Sequence, residues 1–439
     1  MSKNSWRINS WRNFSITQQP DWPDEKLFEE IISRLQKLPS LVFSGETRKL
    51  KKKIAKVNDG HNFILQVGNC AESFGDCNGP KIHNFLRIFL QMSMVIEFFT
   101  NKNMVKIGRI AGQYAKPRSS DTEIVNGIIL PSYKGDIINK NSPTFKARTP
   151  DPNNLLEGYF RSAATLNLIR AFIQGGYSDI SNITDWKEHF FSKEVSMLKN
   201  YKGFEQQITT SLNRKDISKK IGKDQIFTSH EGLLLDYEQA FTRIDTTHGG
   251  YYDTTAHFIW IGNRTRQMES AHIEFIRGIG NPVGLKIGPD YEIEELVKIF
   301  RKVNPENING RLVLISRMGQ NNILTKLRPI IKAVKKNNLN VTWVCDPMHG
   351  NTFNHNNYKV RSFENIVDEI RNFFMVCNVE GVVPGGLHLE ITDENVTECT
   401  GGINGATLSN LSENYLSKVD PRLNAAQALE IAFIVSELI

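Results

Sequence analysis

The sequence has no run of about 18 apolar residues, the length a helix needs to cross a bilayer. Its nearest approach, Asn84 to Phe99, is interrupted by Arg87, Gln91 and Glu97 and predicts an amphipathic helix laid on a core. No CxxC pair occurs among the five cysteines, Cys70, Cys77, Cys345, Cys377 and Cys399. That odd number argues against a disulfide framework and for free thiols in a reducing cytoplasm. The opening residues, MSKNSWRINSW, lack the apolar region of a secretory signal. No G-x-G-x-x-G follows a strand-like run, which speaks against a dinucleotide-binding sheet. These absences leave a cytoplasmic, globular protein as the expectation.

The composition agrees, with 40% hydrophobic and 23% charged residues in 439. The net charge is +7 and the pI about 9.0. Basic residues are spread along the chain rather than gathered into a nucleic-acid patch. The one dense run, Arg48 to Lys53, alternates with Leu50, Ile54 and Val57 and reads as the solvated face of a short helix. Anionic small substrates would use the surplus charge equally well.

The first 60 residues read as a helical extension, with Asp24 placed to cap a helix through Leu27, Ile31, Leu35 and Leu38. Residues 61–439 read as one catalytic domain. Strand-like runs occur at 63–67 and 105–110, and an irregular middle section holds an inserted helical segment at about 186–225. Beyond it, apolar runs at 256–261, 283–287, 312–316 and 341–345 recur about every 26 to 30 residues between amphipathic stretches. Runs near 227 and 387 bring the count to about eight, which predicts a closed (β/α)8 barrel.

In such a barrel the ends of the strands meet on one rim. Those ends carry Asn69-Cys70-Ala71-Glu72, Arg109, Gly262-Asn263-Arg264, Lys286, Arg317, Asp346-Pro347-Met348-His349, and His388 with Glu390. Arg109, Arg264, Lys286 and Arg317 are four cations on four strands, each by itself an ordinary salt-bridge residue. Together they suit phosphate groups, because guanidinium forks match phosphate oxygens and Lys adds a point charge. Cys70, His349, Glu390 and Asp420 offer a thiolate, an imidazole and two carboxylates, a set suited to a divalent transition ion. Their wide spacing leaves humbler roles open: a buried small thiol, a turn residue, an ion-pair partner and, for Asp420 before Pro421, the N-cap of the last helix.

The segments LQVGNCAESF (65–74), GRIAGQYAKPRS (108–119), SHEGLLLDYEQAFTR (229–243), AHFIWIGNRTRQ (256–267), VTWVCDPMHGNT (341–352), PGGLHLEIT (384–392), NVTECTGG (395–402) and DPRLNAAQALEIAF (420–433) carry a resemblance over almost the whole chain. It resembles the type II (plant-type) 3-deoxy-D-arabino-heptulosonate 7-phosphate synthases. The resemblance implies a (β/α)8 barrel that condenses phosphoenolpyruvate with erythrose 4-phosphate at the head of the shikimate pathway. It implies a divalent metal such as manganese or cobalt on Cys70, His349, Glu390 and Asp420. It implies phosphoenolpyruvate on Arg109, Arg264, Lys286 and Arg317, with Asn263 alongside. Lys116, Arg118 and Ser119 would meet the aldose phosphate, with Lys116 near its carbonyl, and Cys70, His349 and Lys116 would form the catalytic group. It also implies a homo-oligomer and aromatic amino acids as effectors.

The chain departs from the family pattern at two places. GGDCAE appears as Val67-Gly68-Asn69-Cys70-Ala71-Glu72, and GERTRQ as Gly262-Asn263-Arg264-Thr265-Arg266-Gln267, each losing a carboxylate beside the site. Those losses motivate two alternatives: a variant enzyme taking an amino tetrose phosphate, and a non-catalytic regulatory homologue.

Overall fold

A computed structural model describes residues 6–177 and 225–439. The expected insertion at about 186–225 lies outside the described residues save its last position. Eight parallel strands close into a barrel: β1 (Asn62–Gly68), β2 (Asn103–Arg109), β3 (Phe227–Glu231), β4 (Phe258–Ile261), β5 (Val283–Ile287), β6 (Leu312–Ser316), β7 (Thr342–Cys345) and β8 (Pro384–Glu390). Each strand pairs with its sequence neighbours and β8 pairs with β1, which abolishes free edges. The strands are short and almost wholly buried, because side chains face the lumen on one side and the surrounding helices on the other. The (β/α)8 expectation therefore holds.

The helices follow their apolar spacing. Among them α1 (Glu25–Lys37) is capped by Asp24, whose carboxylate accepts from Leu27 N, as the sequence suggests. The Asn84 stretch belongs to α3 (Gly79–Thr100), and no described helix is long and apolar enough to cross a membrane. All five cysteines are free.

The helix over the basic run, α2 (Ser44–Asn58), does more than present a solvated face. Leu50, Ile54 and Val57 are fully buried and pack with Ile64, Val105, Ile107, Phe227, Phe258 and Trp260 of the barrel lumen. Asn62 at the start of β1 donates to Lys53 O, and Gly385 at the start of β8 lies against Val57. So α2 closes the N-terminal mouth. A helix in that position is covered on both flanks, which corrects the expectation for two of its cations. Arg48 pairs with Asp245, and Lys51 donates to Gly280 O at 3.0 Å. Burial, with Arg311 and Arg48 nearby, holds the Lys51 ammonium down at about 8. Ile54→Ala removes a fully buried side chain from this apolar cluster; a loss of about 2–5 kcal/mol is expected in thermal or urea unfolding, and a shift under 0.5 kcal/mol would refute the plug.

The last helix, α4 (Ala425–Leu438), starts four residues later than Asp420 and Pro421 suggest. Asn424 is its N-cap and forms a capping box with Gln427. The residues between are extended because they pair with the end of β8: Leu423 N donates to Glu390 O, and Thr392 N to Leu423 O. Asp420 is therefore no cap, and its carboxylate is left for other work.

Candidate active site

The rim at the C-terminal ends of the strands encloses a cavity of about 310 Å³, a volume suited to small ligands. Lys116, Arg118, Ser119, Asn263, Arg264, Lys286, Arg317, His349 and Asp420 all line it. Their chain positions are scattered; the barrel alone brings them together. Cys70, Arg109 and Glu390 are not in the cavity wall but buried beside it, at 1%, 2% and 0% exposure.

Cys70, Glu390 and Asp420 place one donor atom each within 4.8 Å of one another. Lys116 fills the space they share: its ammonium bonds Cys70 Sγ and Asp420 Oδ2 and lies 3.6 Å from Glu390 Oε1. Burial opposes that charge, yet Asp420, Cys70 and Glu390 outweigh it and raise the Lys116 pKa. Burial equally opposes ionised Glu390, but His349, Lys116, Arg361 and Arg109 hold its carboxyl well below the usual range. The Cys70 thiol is pushed up to about 12, by burial first and then by the Glu390 carboxylate. The pocket among these three side chains is thus one that selects a cation.

His349 stands at the edge of the trio. Its Nδ1 is 2.8 Å from Asp346 Oδ2, and its Nε2 is 3.1 Å from Glu390 Oε1. Burial lowers the His349 pKa against the pull of Asp346, which favours the neutral ring. With the Nδ1 proton committed to Asp346, Nε2 and the Glu390 oxygen are two acceptors facing each other. Such a contact calls for a cation between or beside them. A carboxylate that fixes the tautomer of an imidazole in this way is a common support of metal-binding histidines. The donor set of Cys70, His349, Glu390 and Asp420 therefore fits a divalent transition ion, which would compete with Lys116 for one place.

Asp420 comes from an irregular loop, and a buried carboxylate holds that loop in shape. Glu398 accepts from Leu416 N at 3.2 Å and Arg422 N at 2.7 Å, and is forked by the Arg422 guanidinium. Asp346 does similar work on the other side, accepting from Met348 N, His349 N and Lys286 Nζ. Burial lowers the Lys286 pKa, with Asp346 opposing that effect. Arg317 donates to His349 O at 2.9 Å. Arg118 is tied to Glu123 Oε2 at 2.6 Å and Tyr133 O at 2.9 Å. The cavity is thus walled by Lys116, Arg118, Arg264, Lys286, Arg317 and Lys359 against two carboxylates, Glu231 and Asp420. That imbalance suits multiply charged anions.

The class-II DAHP synthetase family model matches residues 6–436. This chain belongs to that family. It is 42% identical over 438 residues to the phospho-2-dehydro-3-deoxyheptonate aldolase of Streptomyces coelicolor, covering 98% of this chain and 96% of the relative. The Neurospora crassa protein of the same name is 40% identical over 454 residues, with 98% and 94% covered. Phospho-2-dehydro-3-deoxyheptonate aldolase AroG of Mycolicibacterium smegmatis is 41% identical over 443 residues, with 99% and 94% covered.

Within this class-II chain the two asparagines keep defined contacts. Asn263 Oδ1 accepts from Gly288 N and Arg266 Nε, both at 3.0 Å. A carboxylate could accept the same two bonds, so the amide preserves the local shape and removes one negative charge from the cavity wall. Asn69 Oδ1 is 3.5 Å from Arg422 Nη1, a weak contact beside an arginine already forked by Glu398.

Four residues of the site escaped the sequence reading. Glu231 ends β3 and lines the cavity with its Oε1 unpartnered. Lys359 and Arg361 sit on a hairpin, Thr352–Ser362, inserted after β7. Lys359 bonds Asp420 Oδ1 at 2.8 Å; Arg361, fully buried, bonds Glu390 Oε2 at 2.7 Å. Glu398 is the fourth. A carboxylate at a strand end in SHEG was a usable signal for Glu231; nothing in the spacing marks the others.

Proposed function

We infer that this chain condenses phosphoenolpyruvate with erythrose 4-phosphate and water, giving 3-deoxy-D-arabino-heptulosonate 7-phosphate and inorganic phosphate. Full-length identity to relatives of that activity supports the reading, and the single structural observation that carries it is the cation-walled cavity opening beside the Cys70–Glu390–Asp420 trio. The condensation unites two phosphorylated anions; an acidic cavity would repel both, and a neutral one would not offset the cost of desolvating them.

Arg264, Lys286 and Arg317 hold the phosphate and carboxylate of phosphoenolpyruvate from the wall, and Arg109 meets it from behind the floor. Arg118 and Ser119 take the phosphate of the aldose. Cys70, His349, Glu390 and Asp420 would hold a divalent ion, which would supply Lewis acidity for activating the aldehyde. The C2=C3 π electrons of phosphoenolpyruvate form the bond from C3 to the aldehyde carbon and leave C2 electron-poor, while the aldehyde oxygen takes its proton from Lys116. Water adds at C2, losing a proton to a base in the wall. The bond between C2 and the bridging oxygen of the phosphate then breaks as the new C2 hydroxyl gives up its proton and becomes the ketone, and phosphate departs with that oxygen into the same group of cations that held it. Fixed charges and fixed geometry supply most of the rate, with no covalent enzyme intermediate.

The test is loss of phosphoenolpyruvate absorbance by chelator-treated protein given erythrose 4-phosphate and manganese or cobalt. Turnover restored by the ion and absent without the aldose is the expected result. A folded protein that binds phosphoenolpyruvate yet shows no turnover with any divalent ion would end this reading. Lys286→Ala removes a buried point charge and leaves Asp346 only its bonds to Met348 N and to His349; the KM for phosphoenolpyruvate should rise roughly 30-fold or more, and an unchanged KM would exclude Lys286 from that subsite.

A further inference from the structure

Below the cavity, Arg109 is joined to polar side chains of the lumen that the reaction itself does not use. Arg109 Nη1 lies 2.8 Å from His388 Nε2, and His388 Nδ1 lies 2.8 Å from Gln66 Oε1. Gln66 Nε2 donates to Ser229 Oγ at 3.0 Å, and Ser229 Oγ donates to Gly108 O at 3.1 Å. Exposure is 2% or less at Arg109, His388, Gln66 and Ser229. The contacts span β8, β1, β2 and β3, four neighbouring strands, and the circuit ends at Gly108, one residue from where it starts.

Only one set of proton positions satisfies this circuit. A guanidinium has no acceptor, so His388 Nε2 must receive its bond. The His388 ring is then neutral, with its proton on Nδ1 and pointed at the Gln66 carbonyl oxygen. That fixes the Gln66 amide, which must turn its NH2 to Ser229, whose hydroxyl is left to donate to Gly108 O. A polar layer in a barrel lumen costs desolvation and could be replaced by packed apolar side chains. Each bond of the circuit has one direction, and the polar atoms left over beside it are Arg109 Nε and Trp260 Nε1, both buried without a partner.

We propose that His388 is a positioning residue for Arg109, held as a hydrogen-bond acceptor by Gln66 and Ser229, and that through it the barrel lumen sets the affinity for phosphoenolpyruvate. The other end of the same guanidinium shows what depends on its angle. Arg109 Nη2 donates to Cys70 O and to Glu390 Oε1, both at 3.1 Å. Trp260 keeps the pair in plane from the side: its ring lies 5.3 Å from the Arg109 guanidinium carbon and meets His388 edge-on at 5.2 Å and 87°. Without an acceptor at His388 Nε2 the fork would lose its shortest bond and keep only the two from Nη2 to hold its angle. The inference rests on the assignment of Arg109 to phosphoenolpyruvate.

Two amide substitutions separate the links. His388→Gln places an oxygen near the position of Nε2 and keeps an acceptor for Arg109. His388→Asn reaches only the position of Nδ1, so it keeps a group for Gln66 and offers Arg109 nothing. We expect His388→Asn to raise the KM for phosphoenolpyruvate, and its Kd by calorimetry, roughly ten- to a hundred-fold, with kcat within about threefold of the parent. His388→Gln should recover most of that affinity. Gln66→Met, which leaves Arg109 and His388 in contact but removes the group that orients the ring, should raise the KM about three- to tenfold. Thermal melts accompany each variant, and Gln66→Met is the readout should the His388 variants not fold. Equal behaviour of the Asn and Gln variants, or an unchanged KM in Gln66→Met, overturns the proposal. Arg109→Lys is measured alongside: if it leaves phosphoenolpyruvate binding intact, the assignment of Arg109 is wrong and the proposal falls with it, whereas a weakened Arg109→Lys beside a normal His388→Asn removes the His388 role alone.

Discussion

Cys70→Ala is expected to abolish turnover by about three orders of magnitude or more, equivalent to about 4 kcal/mol of barrier, at every concentration of added manganese or cobalt. The variant should melt within a few degrees of the parent. Cys70 is 1% exposed, and burial with the Glu390 carboxylate pushes its thiol up to about 12. At neutral pH such a thiol is protonated and inert unless a cation stronger than the Lys116 ammonium stands beside it. Metal binding would have to displace the proton, so affinity for the ion should rise with pH. The thiolate–cobalt absorption band gives a readout independent of catalysis: present in the parent, absent in Cys70→Ala. Cys377→Ala is the control, since that thiol is buried in the helix Phe363–Val379 away from the cavity and should cost stability only. Full turnover in Cys70→Ala would remove the thiol from the site and leave the carboxylates and His349 without their softest partner.

The barrel was legible because its strands are short apolar runs at a steady interval, and because the chemistry sits where each run ends. Arg264, Lys286, Arg317 and His349 were placed by that rule alone, and all four line one cavity. The rule fails where the chain leaves the βα rhythm. Lys359 and Arg361 lie on a hairpin after β7, and their neighbours in sequence give no hint that one reaches Asp420 and the other Glu390. Asp420 shows the opposite failure. Its local pattern, an acid before Pro421, is a good helix cap, but pairing of Leu423 with the end of β8 wins and moves the cap to Asn424. Local propensity is a weak prior there because two backbone hydrogen bonds to the barrel outweigh it. Arg109 differs again: it ends its strand as expected, yet its burial and its bonds to His388, Cys70 O and Glu390 give it the site's floor rather than the wall.

Glu231→Gln is expected to lower kcat about a hundred- to a thousandfold while leaving the KM for phosphoenolpyruvate within a fewfold. The cavity has two carboxylates in its wall, and Asp420 is engaged by Lys116 and Lys359. Glu231 keeps Oε1 unpartnered although it is enclosed, and a buried oxygen without a partner is costly unless a ligand or water completes it. Water added at C2 must lose a proton, and Glu231 is the carboxylate free to take it. Burial raises its pKa, and Lys286, Lys116, Arg109 and Arg264 pull it back without restoring the ordinary value. The base form is therefore lost as pH falls, earlier than for an exposed glutamate, and the parent should show an acid limb in kcat set by this group. In Glu231→Gln that limb should vanish along with most of the rate, since the amide cannot accept a proton at any pH of interest. A Gln variant with reduced kcat but the same acid limb would show that another group takes the proton and that Glu231 only tempers the charge of the cations around it. A variant with unchanged kcat would deny it both roles.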